Sequence, residues 1–182
     1  MQRPYAAGFA LMALAVSGAN ADEIVRNWFD DPFFQVRSAI ADCPMPLGPY
    51  VNEEQRMHET HYRLERGLRC YLEKKCSKPS SYMYDADIAS AVRTRFDASP
   101  QLRDASLWVT VQRRFVWVEG CVRSSRGQRE IEAVLRGVPD VERVIVFVSA
   151  DPRAAPPYRT LGAGQRRGEK RHGTQMNTDE HR

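Results

Sequence analysis

The chain has 182 residues, enough for one compact domain with appendages. Its 27 basic residues oppose 23 acidic ones, a net charge of +4. So mild a balance permits contact with an anionic surface without demanding it, and it excludes charge alone as an argument for a nucleic-acid partner.

Met1 to Ala21 has the three parts of a secretory signal peptide. Arg3 supplies the positive start, Ala6 to Val16 the short apolar stretch, and Ala19-Asn20-Ala21 the small-x-small cleavage site. That stretch is too short to span a bilayer, which takes about twenty apolar residues. The mature chain is therefore expected to begin at Asp22, in a periplasm, without a lipid anchor and without a later membrane-spanning segment. Export changes the meaning of Cys43, Cys70, Cys76 and Cys121, because an even number of cysteines in an oxidising compartment points to disulfides. No C-x-x-C pair favours zinc or redox catalysis.

Residues 22–83 form an N-terminal helical, Pro-rich, Cys-containing region. Asp30-Asp31-Pro32 marks a turn or helix start, which makes Gln35 to Ala41 a short helix. Cys43 to Pro49 holds three prolines and must be extended. Asn52 to Lys75 is the clearest helix, with Asn52 as its N-cap, acidic residues in its first turn and Lys74-Lys75 at its end. Met57, His61, Leu64, Leu68 and Leu72 fall on one face of it, with Glu59 and Arg63 as a surface pair opposite. Such a helix should lay its apolar stripe on something, although Gly67 interrupts it at a cost of about 1 kcal/mol. His58 and His61 lack the spacing that puts two imidazoles on one face, so they do not argue for a metal.

Past a Ser-rich linker the patterning becomes regular. Asp85 caps a helix with Ile88, Ala91, Val92 and Phe96 on its apolar face, stopped by Pro100. Residues 107–112 and 115–122 alternate with period two and read as a hairpin. Arg113-Arg114 is poor chemistry for a two-residue turn, which prefers Asn-Gly or Asp-Gly, so the turn is expected to be longer and to include Gln112. Ser125-x-x-Gln128 has the form of a capping box, opening a helix with Ile131, Val134, Leu135 and Val138 inward. Val141 to Val148 is a third strand. From 152 to 182 apolar periodicity is lost, and the segment reads as a disordered basic tail.

The order helix, strand, strand, helix, strand, with Asp87-Ile88 opening the first helix, Gly120 in the second strand and Gly137, Val138 and Val141 before the third, resembles the BON domain family. The resemblance covers residues 84–151. It implies an α+β fold, a small αββαβ module with its helices on one face of a three-stranded sheet. It implies no catalysis and no cofactor, and a role in envelope integrity through phospholipid contact. Gly120 needs no ligand to explain it, since a strand glycine permits a bulge or the close approach of a helix.

With both helices on one face, the other face carries Trp108, Phe115, Trp117, Ile145, Phe147 and Cys121. An open apolar patch of that size is rarely tolerated. Either the N-terminal region folds across it, tied by a disulfide to Cys121, or the face binds lipid or protein. A local Cys70–Cys76 bond leaves Cys43 for Cys121, although four cysteines allow three pairings. Two functions fit. One is an envelope module that touches anionic phospholipid through Arg93, Arg113 and Arg114; the other is a structural or protein-interaction module acting through the sheet face or the tail. Nothing in the motifs supports an enzyme, and export argues against nucleic acid.

Overall fold

The computed structural model describes residues 23–168. The signal-peptide expectation for residues 1–21 and the end of the tail lie outside them. The elements in chain order are β1 (Glu23–Val25), β2 (Phe33–Ser38), α1 (Glu53–Glu65), α2 (Leu68–Leu72), a 3₁₀ turn (Ser81–Tyr84), α3 (Asp85–Ala98), β3 (Ser106–Gln112), β4 (Phe115–Cys121), α4 (Gly127–Leu135), β5 (Arg143–Ser149) and β6 (Gln165–Arg167).

The fold is α+β, with α3 and α4 packed on one face of the main sheet. Alternation puts Leu107, Val109 and Val111 of β3 and Val116 and Val118 of β4 on that face, all fully buried. Ile88, Val92 and Phe96 of α3 and Ile131 and Leu135 of α4 close over them. Burial of each such side chain contributes about 1.5–3 kcal/mol. β4 and β5 are parallel, which requires the crossover that α4 provides.

The sheet has four strands, in the order β2-β3-β4-β5, not three. The extra one is β2, where a short helix was expected. Its residues alternate, Phe34 and Val36 joining the helix-covered core while Phe33 packs on the opposite face. The open edge of β3 offers ladder partners that a lone turn of helix lacks, and β2 pairs with it antiparallel.

The hairpin turn is as short as it can be: Gln112 pairs with Phe115, and Arg113 and Arg114 adopt φ of 53° and 69°. Gly120 (φ 145°) is required by β3 and not by a helix, because a Cβ there would lie 2.1 Å from the Ser106 carbonyl oxygen. The capping box falls elsewhere than expected. α4 starts at Gly127 without a side-chain cap, whereas Asn52 and Gln55 bond reciprocally at the start of α1.

Residues 153–168 correct the expectation of a disordered tail. They return across the molecule, with Thr160 bridged to Pro46 and β6 pairing in parallel with β1. Tyr158 is buried and its hydroxyl donates to the Pro44 carbonyl at 2.7 Å. The segment has no apolar period because it is anchored by single residues and backbone bonds rather than by a repeating face.

Candidate functional site

Both disulfides involve the N-terminal region. Cys43–Cys121 ties that region to the end of β4, in a cluster with Trp108, Phe33 and Ile40 on the outer sheet face. Cys70–Cys76 closes a loop around α2.

The helical segment 52–75 is broken at Gly67, whose φ is 101° and whose missing Cβ would sit 2.8 Å from the Ser81 nitrogen. Two short helices result, and they dock the opposite way from the expectation. The buried residue of α1 is Arg63, paired with buried Asp31 and lying between the rings of Phe29 and Tyr82. Arg56 lies over Trp28, and Arg66 over Phe115 with an ion pair to Glu142 at 2.8 Å. Glu59, expected to pair with Arg63, meets Arg113 instead, at 3.5 Å. Positions 56, 59, 63 and 66 share one face at 3.6 residues per turn. The helix therefore docks through guanidinium groups on aromatic rings and carboxylates, an arrangement that Arg favours over Lys.

Its apolar stripe consequently faces outward. Met57 is 61% exposed, Leu64 57% and Leu72 70%, and Leu68 and Tyr71 are also exposed. His61 does not pack there; it is exposed and lies 3.0 Å from Glu65. The charges along the stripe are graded. Glu53 and Glu54 stand at the start of α1, while Arg69, Lys74 and Lys75 gather around α2, all exposed, with Glu73 among them pairing with Arg69 and Lys75 at 2.9 Å. Hydrogen bonds from Ser81 N to the Arg66 carbonyl (2.8 Å) and from Ser80 Oγ to the Leu64 carbonyl (3.0 Å) fix the junction. The result is a rigid knob, closed by Cys70–Cys76, with leucines outermost and cations beside them.

The three arginines expected to contact lipid have internal work. Arg93 stacks on Phe34 with its guanidinium carbon 3.6 Å from the ring centre. Arg113 pairs with Glu59, and Arg114 reaches the Asp140 carbonyl at 2.7 Å and the Tyr84 ring. Arg113 and Arg114 are largely covered, whereas Arg93 is exposed. Asp85, expected to cap α3, instead accepts both turn N–H groups. Burial pushes its carboxyl up from the ordinary range, and those two bonds oppose the rise.

Residues 84–152 match the family model of the BON domain. This segment of the chain is similar to the BON domain. No curated protein and no solved structure matches the chain. BON domains are typically envelope-associated and generally non-enzymatic, and the two disulfides agree with an exported protein. Among the described residues no helix is long and apolar enough to cross a membrane. The match takes in less than half of the 182 residues. The knob lies before it, so the BON-like segment is a platform that carries the knob. Sequence reading did find the knob's apolar residues but assigned them to the interior; the aromatic residues waiting for Arg56, Arg63 and Arg66 were the signal against that.

Proposed function

We propose that the protein is an exported, non-catalytic envelope module that binds anionic phospholipid at the membrane surface and supports envelope integrity, with the 67–76 knob as its contact. The supporting observation is Leu72, 70% exposed inside a disulfide-closed loop and two residues from Lys74 and Lys75. An apolar edge that enters the headgroup region beside cations is how surface-bound helices hold a bilayer. Each basic residue near an anionic leaflet adds about 1 kcal/mol. In this reading Arg93, Arg113 and Arg114 hold the platform together rather than touch lipid.

Co-sedimentation with phosphatidylglycerol and phosphatidylcholine vesicles tests it. The chain should pellet with the anionic vesicles and be released as salt rises, since screening sets in over a Debye length of about 8 Å at physiological ionic strength. Lys74→Gln with Lys75→Gln should weaken binding roughly 30-fold, from two such charges. Leu72→Asp should abolish it. Absence of binding, or equal binding to both vesicle types, would sink the lipid reading and favour the protein-interaction module.

A further inference from the structure

The outer face of the sheet holds an open cleft of ≈ 510 Å³, between β3, β4, β5 and the returning segment. Ligand sites run from about 300 to 1,000 Å³. Its floor is set by strand register: Thr110 lies opposite Trp117, and Glu119 opposite Phe147. Tyr158 and Arg159 of the returning segment form the far wall.

That wall is built into the fold. The Tyr158 hydroxyl donates to the Pro44 carbonyl, Leu47 N donates to the Arg159 carbonyl at 2.6 Å, and the next residue but one before Met45 is Cys43, covalently joined to β4. Burial pushes the Tyr158 hydroxyl up to about 12, so it stays a donor.

Two polar groups lining the cleft, buried Thr110 and half-buried Glu119, have no side-chain hydrogen bond. Thr110 is 5% exposed, and its Oγ1 has no hydrogen-bond partner. Glu119, opposed only by the charge of Arg159, accepts no hydrogen bond among the described residues. Native structures rarely leave such groups unanswered; Thr110 Oγ1 is shielded by its neighbours, so Glu119, partly exposed at the cleft, is the group whose missing partner a ligand can supply. The chemistry narrows its class. Glu119 disfavours an anion, Arg159 disfavours an organic cation, and the polar floor disfavours an acyl chain. Trp117 and Phe147, the latter 42% exposed, line it with aromatic surface on which the C–H groups of a ring can pack. A carboxyl and a guanidinium together both donate and accept. Burial raises the Glu119 carboxyl to about 7, so near neutrality it can do either.

We propose that this cleft binds a neutral saccharide, one pyranose ring set against Trp117 and Phe147 with its hydroxyls toward Glu119 and Arg159. The site is separate from the lipid-facing knob, and neither proposal depends on the other.

Saturation-transfer NMR and tryptophan fluorescence on the full chain test it, with N,N′-diacetylchitobiose and cellobiose as probes and spermidine and decanoate as counter-probes. At least one disaccharide should bind saturably, its ring protons receiving the transfer. Phe147→Ala and Glu119→Ala should each weaken that binding about tenfold, with the thermal midpoint and vesicle binding unchanged for Phe147→Ala. No saturable binding of either disaccharide overturns the proposal. So does tighter binding of spermidine or decanoate, or a disaccharide affinity that Phe147→Ala leaves intact.

Discussion

The carboxylate of Asp85, the first residue of α3, accepts the backbone N–H of Arg113 at 2.7 Å, and its other oxygen accepts that of Arg114 at 2.8 Å. One side chain thus stabilises a turn in which two non-glycine residues both hold positive φ. That conformation costs roughly 1–2 kcal/mol per residue, and hydrogen bonds to a charged acceptor are worth about 1.5–3 kcal/mol each. Asp85→Ala should therefore lower stability by about 3 kcal/mol in urea unfolding. Replacing Arg113-Arg114 by Asn-Gly with Asp85 kept relieves the turn but removes the contacts to Glu59, Asp140 and Tyr84, so stability should change by no more than about 1 kcal/mol.

Arg63 and Asp31 form a buried ion pair, 6% and 3% exposed. Removing one partner strands the other charge away from water. Arg63→Ala should cost about 3–5 kcal/mol and loosen α1 from the platform. Arg63→Leu with Asp31→Leu should be milder than either single change, because no charge is left behind. Chemical denaturation of the three variants tests this ordering.

The Cys43–Cys121 bond spans 78 residues and Cys70–Cys76 spans six. Chain entropy assigns the first roughly 4 kcal/mol and the second about 2 kcal/mol. Cys43→Ser with Cys121→Ser should be the more damaging pair, and should move tryptophan emission to the red as Trp108 gains water. Cys70→Ser with Cys76→Ser should leave emission in place. Equal thermal losses for the two pairs would contradict this assignment.

Glu119 provides a pH test. Its carboxyl titrates at about 7 in the fold, against an ordinary 4.5, chiefly because burial penalises the charge. Between those values the folded chain holds a proton that the unfolded chain has released, so stability falls as pH rises through the window. Glu119→Gln removes that dependence. Thermal midpoints of variant and parent should agree at the acid end of the window and separate above neutrality, with the variant higher.

What was legible in the sequence was what repeats. The period-two runs of β3, β4 and β5 and the helical periods of α3 and α4 gave the α+β platform, because each of these elements buries one continuous face. Partner choice was not legible. Nothing within Phe33–Ser38 announces the open edge of β3 that makes it a strand. Nor does a hydropathy pattern reveal that Arg56, Arg63 and Arg66 face inward, because it counts a guanidinium as polar wherever it lies, while over a ring it packs like a flat apolar group. The same blindness sent Leu64 and Leu72 to an interior they do not occupy. For the returning segment there was no period to find, only Tyr158 and a few backbone bonds.

The pairing of β1 with β6 has a consequence for the order of events during synthesis. Glu23 and Gln165, neighbours in the ladder, are 142 residues apart in the chain. A chain delivered from its N-terminus makes β1 before anything it can pair with, and holds it unpaired until nearly everything else has arrived. Contacts this distant carry the largest loop-closure penalty and form after local ones. The first strand to be made is then among the last to be placed. Until it is, its unpaired backbone edge is open to whatever chaperone or neighbouring strand is at hand.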